Sequence, residues 1–123
     1  MTKRSRHSYA ETLAALEKAI AAAGNTTFAV IDQSAAAAGV GMTLRPTTLV
    51  LFGNPQGGTP LMDAFPLVAL ELPLKLLVWE ENGSVSVAYP SMSEIAKRYN
   101  VTGMDERIAA MDRALDALTN TIT

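Results

Sequence analysis

Residues 44–62 read Leu44-Arg45-Pro46-Thr47-Thr48-Leu49-Val50-Leu51-Phe52-Gly53-Asn54-Pro55-Gln56-Gly57-Gly58-Thr59-Pro60-Leu61-Met62, and this segment organises the rest of the chain. Arg45-Pro46 predicts an extended entry, because proline disfavours the helical conformation at the residue before it. The run from Thr47 to Phe52 is apolar on both faces after Thr48 and predicts a buried central strand. Glycine-rich residues 53–58 then predict a turn. Thr59-Pro60 is typical of a helix start, so we expect a short helix from Thr59 to Phe65.

A second apolar run, Leu74 to Glu80, predicts another strand. Asn82-Gly83 follows, and both residues accept the positive φ angles of a tight two-residue hairpin turn. The returning segment from Val85 to Tyr89 alternates apolar and small residues, as a strand with one buried face does. We therefore expect a β-hairpin over these residues.

Two helices are predicted from capping boxes, in which a serine accepts from an amide three residues on and a glutamate bonds back to the cap. Ser8 and Glu11 form the first, which predicts a helix over residues 9–23 that stops at Gly24. Ser91 and Glu94 form the second. These boxes place one helix before the predicted strands in the chain and one after them.

A further strand, a short helix and a C-terminal helix complete the predicted elements. Phe28 to Ile31 is β-branched and aromatic, and Asp32 is a suitable cap for the alanine-rich turn behind it. The C-terminal helix begins near Asp105. Its buried face is expected to carry Met104, Ile108, Met111, Leu115 and Leu118, while Arg107, Asp112, Arg113 and Asp116 point away.

The composition favours a single domain that has more apolar surface than its own core would bury. The chain has 123 residues, enough to bury about two thirds of its unfolded surface. Hydrophobic residues make up 49% and charged residues 18%, and the mean hydropathy is +0.17. This balance favours a subunit interface in addition to a core, so we expect an oligomer.

Charge and residue usage disfavour several functions. A net charge of −2 and a pI of about 5.3 give no attraction to nucleic acid or to an anionic membrane. The chain has no cysteine, and its one histidine is His7, so thiolate, histidine-dyad and multi-histidine metal chemistry are not expected. We expect no signal peptide in the basic N-terminal residues, no membrane span, and a cytoplasmic location.

The glycine-rich loop is the first candidate site. Its outer glycines have the spacing of a phosphate loop, but Thr59-Pro60 stands where a lysine and a hydroxyl residue are required, so nucleotide hydrolysis is disfavoured. The loop is either a tight turn or an anion site, in which the amides of Gly57, Gly58 and Thr59 hold a small carboxylate or phosphate. Asn54 in the same loop joins this candidate set.

Two cations near the predicted strands are further candidates. Lys75 interrupts an apolar strand, and such a lysine is either a snorkelling edge residue or a charge that faces a cleft. Arg45 precedes the central strand, where a guanidinium either ties loop carbonyls or a neighbouring Asp32, or binds an anionic ligand. The candidate ligand-binding residues are therefore Arg45, Asn54, Gly57, Gly58, Thr59 and Lys75.

The segment 44–62, together with Leu72-Pro73-Leu74-Lys75-Leu76-Leu77-Val78-Trp79-Glu80, resembles the domain-of-unknown-function 302 family over most of residues 9–100. The resemblance implies an α+β fold of two layers in a β-α-β(4)-α arrangement, with helices on one face of a curved, mainly antiparallel sheet. It also implies a homodimer. Residues 103–123 extend past the usual end of that family, and we expect them to form an added C-terminal helix that covers a sheet face or joins the dimer. The family has no established reaction, so no catalytic residues are transferred. Similar sequences commonly have histidine after Asp32, whereas this chain has Gln33, which disfavours a haem or metal role.

These observations predict a non-enzymatic, homodimeric module that binds a small anionic or amphipathic molecule between its sheet and its helices. No cofactor is expected. Two alternatives remain open at this stage: a small metal-independent enzyme that uses the same cleft, and a purely structural or regulatory interaction domain.

Overall fold

The computed structural model describes residues 1–123 as a sheet with helices packed against it. The five strands are β1 (Thr2–Arg4), β2 (Thr26–Asp32), β3 (Thr47–Gly53), β4 (Leu74–Glu81) and β5 (Ser84–Ala88). The five α-helices are α1 (Tyr9–Ala22), α2 (Gln33–Ala38), α3 (Pro55–Ala64), α4 (Met92–Arg98) and α5 (Asp105–Asn120), and a 3-10 helix covers Pro66–Leu70.

The strands form one antiparallel sheet in the order β1-β5-β4-β3-β2. The predicted α+β class is therefore confirmed, and β3 is an interior strand, as the sequence indicates. The β4–β5 hairpin turns at Asn82 and Gly83, whose φ angles of 52° and 80° are those that the dipeptide predicts. The capping box at Ser8 starts α1 as expected. At α4 only half of the predicted box forms: the Ser91 hydroxyl accepts from the Glu94 amide at 3.1 Å, and the Glu94 carboxylate does not bond back to the cap.

The N-terminal edge strand was not assigned from the sequence. Thr2–Arg4 pairs with β5, and the Lys3 ammonium lies 2.7 Å from the Asp116 carboxylate of α5. Three residues with two charges carry no periodicity, so this strand exists only because β5 offers it a free edge. The pairing ties the N-terminus to both the sheet and the C-terminal helix.

The core lies between one face of the sheet and the helices. Alternate residues of β3 and β4 point into it, so Val50, Leu76 and Val78 are fully buried. They pack in one hydrophobic cluster with Leu16 and Ile20 of α1, and with residues of α4 and α5. The other residues of the same strands face the opposite side and are only partly covered. The helices therefore cover one face, as the resemblance implies.

The start of α3 differs from the prediction. The helix begins at Pro55, and Asn54 is its cap, with the Asn54 side chain accepting from the Gln56 amide at 2.9 Å. An asparagine followed by proline at the first helical position is a stronger start than Thr59-Pro60, which falls inside the helix. The predicted glycine turn is therefore wrong. Gly57 and Gly58 are helical residues.

Pro60 leaves a gap in the hydrogen bonding of α3, and α5 fills it. Proline has no amide hydrogen to donate to the carbonyl of Gln56, four residues earlier. The Arg107 guanidinium lies over this region and donates to the Gly57 carbonyl at 3.2 Å and to the Gln56 carbonyl at 3.5 Å. Arg107 was expected to point away, and this contact explains why it does not.

Asp112 of α5 is a second residue that was expected to face solvent. Its carboxylate accepts from the Met92 amide at 2.6 Å and from the Ser93 amide at 3.1 Å, and it also contacts the Ser93 hydroxyl. A negative charge at the first turn of α4 complements the unpaired amides there. The two helices are joined by this contact.

Gly57→Ala and Gly58→Ala are each expected to raise the free energy of unfolding by about 0.5–1 kcal/mol, because glycine costs conformational entropy inside a helix. A methyl group at Gly57 meets open space, and one at Gly58 lies 3.6 Å from Leu72 and Met62, an ordinary contact. Urea denaturation measures the change.

Gly24→Ala is the matched control, because Gly24 has a φ of 79° and alanine there is strained by about 1–2 kcal/mol. Destabilisation at Gly57 as large as that at Gly24 would contradict a helix that begins at Pro55.

Candidate functional site

A large apolar groove opens between the helices at one end of the sheet. Its volume is about 1520 Å³. The walls are the C-terminal end of α1, the first turns of α3, and one side of α5. The floor is formed by the ends of β2, β3 and β4, including Phe28, Phe52 and Leu74. The groove therefore lies where β3 ends and α3 begins.

Small and apolar side chains make this groove wide. Alanines on α1 and α5 line facing walls, and they leave room because each presents only a methyl group; they are Ala19, Ala22, Ala23, Ala110, Ala114 and Ala117. Met104 and Met111 of α5 also line it, and methionine adapts to ligands of irregular shape. The arrangement suits a molecule with an apolar body.

Polar groups lie among the lining residues of α3 and α5. Asn54 and Thr59 belong to α3 and its cap, while Asp105, Glu106 and Arg107 form the first turn of α5. Arg107 already donates to the carbonyls of α3. The two carboxylates outnumber this one engaged guanidinium, so the polar lining gives no excess of positive charge for an anion.

Four of the six candidate residues line this groove: Asn54, Gly57, Gly58 and Thr59. The amides of Gly57 and Gly58 do not form an anion cradle, because both donate to the Asn54 carbonyl, at 2.9 Å and 3.1 Å. Thr59 lies beyond the first turn of α3, where amides bond within the helix. The structure therefore places these residues at the groove, but their amides are engaged in backbone hydrogen bonds of α3 and are not free to bind an anion.

Arg45 lies away from the groove. It precedes β3, whereas the groove begins where β3 ends, and a seven-residue strand spans about 23 Å at roughly 3.3 Å per residue. The Arg45 guanidinium is exposed and lies 3.9 Å from the Glu81 carboxylate. This is a loose surface pair rather than a contact with Asp32.

Lys75 is also separated from the groove, by the sheet itself. It pairs with Leu51, while its neighbours Leu74 and Leu76 turn toward the helices. The Lys75 ammonium donates to the carbonyls of Glu71 and Pro73, at 2.7 Å and 3.2 Å. Lys75 therefore stabilises the loop before β4, on the face of the sheet opposite the helices.

A small polar cluster surrounds Glu71 beside this lysine. The Glu71 carboxylate accepts from the Tyr99 hydroxyl at 2.8 Å and from the Arg98 guanidinium at 2.9 Å. The Tyr99 hydrogen bond, helped by the positive charge of Arg98, lowers the pKa of Glu71 below its ordinary value. The same hydrogen bond raises the pKa of Tyr99. These contacts connect α4 to the segment before β4.

Two further properties of the structure bear on the kind of site. No three side chains among the histidines, aspartates and glutamates lie together as metal ligands would. None of the helices has the length and apolarity that crossing a bilayer requires.

The groove itself was missed at the sequence level. The signal that points to it is the alanines of α5, which recur at positions 110, 114 and 117 beside the predicted apolar stripe. Their spacing places them on one face of the helix. That α1 and α3 lie opposite this face follows only from the tertiary arrangement.

A helix-on-sheet α+β protein with one wide apolar groove is the class that these features define. The chain belongs to the family described as domain of unknown function DUF302, whose model matches residues 1–118. The predicted family is therefore confirmed, and the match extends into α5.

A solved structure shows the same fold. It is the crystal structure of an uncharacterized conserved protein DUF302 from Bacillus stearothermophilus, with a TM-score of 0.92 and 22% sequence identity. The alignment covers 100% of this chain and 97% of that chain. At this identity the likeness shows the fold alone.

Curated relatives at higher identity come from Brucella. The chain is 35% identical over 124 residues to proteins named fluoride-specific ion channel FluC 1 in Brucella suis biovar 1 (strain 1330) and FluC 2 in Brucella melitensis biotype 1 (strain ATCC 23456 / CCUG 17765 / NCTC 10094 / 16M). All of this chain is matched, against 48% and 45% of those proteins. The chain thus spans about half the length of these relatives.

Tyr99→Phe is expected to make the stability of the protein less sensitive to acid. The native state lowers the pKa of Glu71, so its carboxylate stabilises the fold above the unfolded pKa, and this contribution is lost as the pH falls through the folded pKa. Removing the Tyr99 hydroxyl brings the two pKa values closer. The variant should therefore lose less stability between pH values of about 7 and 3.

Urea denaturation at both pH values measures this difference. Tyr89→Phe is the control, because the Tyr89 ring packs in the core cluster while Tyr99 is the tyrosine that bonds Glu71. An equal loss of stability in wild type and Tyr99→Phe would show that the Glu71 hydrogen bond does not set the acid response.

Proposed function

We propose that this protein is a binding module whose groove holds a small amphipathic molecule by its apolar part. The observation that carries the proposal is the mostly apolar groove of about 1520 Å³, which has room for a small molecule because such sites usually measure about 300–1,000 Å³. Most small-molecule sites are concave and mostly apolar with a few polar groups, and this groove has that composition.

The apolar part of the ligand is the part that the groove selects. Phe28, Phe52 and the three methionines that line the groove offer aromatic and polarisable contacts, and burial of a ligand against them is favoured by about 25 cal/mol per Å² of apolar surface. The polar end would meet Asn54, Thr59 and the first turn of α5. A neutral or weakly polar head group suits this lining better than the anion considered from the sequence.

The remaining predictions concern the context of this module. We propose binding without a reaction, because no observation on the groove favours turnover over binding. The homodimer and the cytoplasmic location stay predictions from the sequence and the family resemblance. Arg45 and Lys75 stay candidates for a separate anion contact, at positions away from the groove.

A neutral fluorescent probe, N-phenyl-1-naphthylamine, tests the groove directly. We expect its fluorescence to rise on binding to the wild type. Ala114→Trp fills the groove and should weaken binding about tenfold or more, which corresponds to at least about 1.4 kcal/mol. Ala114 is exposed to solvent on α5, so the variant should keep the fold.

Ala14→Trp is the matched control, because Ala14 is exposed on α1 and lies outside the groove lining. It should bind the probe as the wild type does. Equal binding by wild type and Ala114→Trp, or no binding at all, would contradict the proposed site. A preference for the anionic relative of the probe, 8-anilinonaphthalene-1-sulfonate, would restore the anionic ligand class.

The Brucella relatives support a second candidate function, an accessory role in fluoride handling. They carry the name of a fluoride-specific ion channel. The whole of this chain aligns with them, and the alignment covers about half of their length. On this candidate the domain responds to fluoride. The exposed Arg45 guanidinium is the candidate cation for such an anion, because its pair with the Glu81 carboxylate is loose at 3.9 Å.

Thermal denaturation in sodium fluoride and in equal concentrations of sodium chloride tests this candidate. A fluoride-responsive domain should melt at a higher temperature in fluoride, since a ligand that binds the folded state stabilises it. Arg45→Ala should remove the difference, and Arg113→Ala serves as an exposed arginine control. Identical melting in the two salts would rule out direct recognition of fluoride.

A further inference from the structure

One continuous segment leaves its apolar residues uncovered. Residues 21–47 contain no buried residue, although they include a strand and a helix. Six of the nine exposed large hydrophobic residues fall within residues 28–44: Phe28, Val30, Ile31, Val40, Met42 and Leu44. Within these seventeen positions Asp32 is the only charged residue. A single chain therefore presents this apolar segment to water.

The strand in this segment is the open edge of the sheet. β2 pairs with β3 on one side only, and its other side carries the unpaired backbone groups of a seven-residue strand. Phe28 and Val30 remain 53% and 48% exposed. Natural edge strands are protected by lysine, proline, short length or a β-bulge. β2 has seven residues without lysine or proline, and its one irregularity lies at Thr27–Ala29, which leaves Val30 to Asp32 in regular pairing with β3.

We propose that two copies of this chain associate through their β2 edges, antiparallel and about a two-fold axis, to form one continuous sheet. Such pairing satisfies the free amides and carbonyls of both strands and covers Val30 and its neighbours. The inference goes beyond the proposed ligand site. It assigns a surface to the predicted homodimer.

A second copy fits this edge better than another partner does. The unpaired amides and carbonyls of β2 are satisfied together by another extended strand. A two-fold axis places the β2 strand of a second copy, which is equally apolar, in that position. The other free edge of the sheet is β1, which has three residues and carries Lys3 and Arg4, so a β2–β1 pairing would be short and charged. Residues 28–44 also carry almost no charge, so this surface has no charged groups that would attract an acidic or basic partner.

The proposed interface borders the groove. Phe28 belongs to β2 and also lines the groove, and Asn25, just before the strand, lines it as well. A partner strand along β2 would therefore lie beside the groove and reduce its contact with water. Ligand binding and dimer formation are expected to be coupled through Phe28.

Light scattering after size-exclusion chromatography tests the interface. The wild type should have a mass of about 26 kDa, twice the 13.0 kDa of one chain. Val30→Lys should reduce the mass to that of one chain, because a lysine on an edge strand blocks pairing while the exposed site tolerates it in the monomer. Leu67→Lys is the matched control, since Leu67 is 67% exposed on the 3-10 helix and should leave the dimer intact.

A single introduced cysteine provides a second measurement, because the chain has no native cysteine. Val30→Cys should form disulfide-linked dimers under mild oxidation, and Leu67→Cys should not. A wild type that stays monomeric, or a dimer that Val30→Lys leaves intact and Val30→Cys does not cross-link, would overturn the proposal. A monomer that binds lipid vesicles through this segment would overturn it too.

The ligand site and the interface can fail separately. Probe binding by a monomeric wild type would retain the groove proposal and refute the interface. A dimer that Val30→Lys dissociates but that binds no probe would support the interface and refute the groove.

Discussion

The one-sided burial of the β3–β4 pair is the constraint on which the rest of the structure depends. Val50, Leu76 and Val78 are completely buried against the helices, while the alternate residues of the same strands face the other way. Because side chains alternate along a strand, a residue's register decides its surroundings. This is why Lys75 lies across the sheet from the groove although both its neighbours pack toward the helices. The helices, the groove and the open face all follow from this division.

The junction between β3 and α3 then decides what kind of site the protein can have. Asn54 caps the helix and its carbonyl receives the Gly57 and Gly58 amides, so the glycine-rich segment becomes helix instead of an anion-binding loop. Pro60 leaves a backbone carbonyl of α3 without its usual donor, and Arg107 supplies one from α5. The same contacts that remove the anion site therefore hold α3 and α5 on either side of an apolar groove. Function is expected to depend on shape and apolar contact more than on charge.

Residues 28–44 include a strand and a helix, yet none of their side chains is buried. Burial of apolar surface is the main favourable term in folding, and a strand and a helix without a buried residue gain little of it from their own chain. The backbone pairing of β2 with β3 holds the strand in place, and its second edge stays free. The groove lining and this edge meet at Phe28, so ligand binding and self-association would share a residue. The family match and the shared fold place these features in a protein class without an established reaction.

The sequence by itself determined the elements whose signals are local. The Ser8 capping box, the Ser91 cap, the Asn82-Gly83 turn and the apolar run of β3 each depend on residues within a few positions of one another, and the α+β class and family follow from them. The start of α3 has a local signal too, the Asn54 cap followed by Pro55, and the prediction chose Thr59-Pro60 instead. Tertiary structure alone decided the short strand β1 and the contacts of Arg107 and Asp112. It also decided that four candidate residues meet in a groove while Arg45 and Lys75 do not. The physical reason is that these outcomes depend on partners far away in the chain, and strand edges and helix spacing are settled only when those partners pack together.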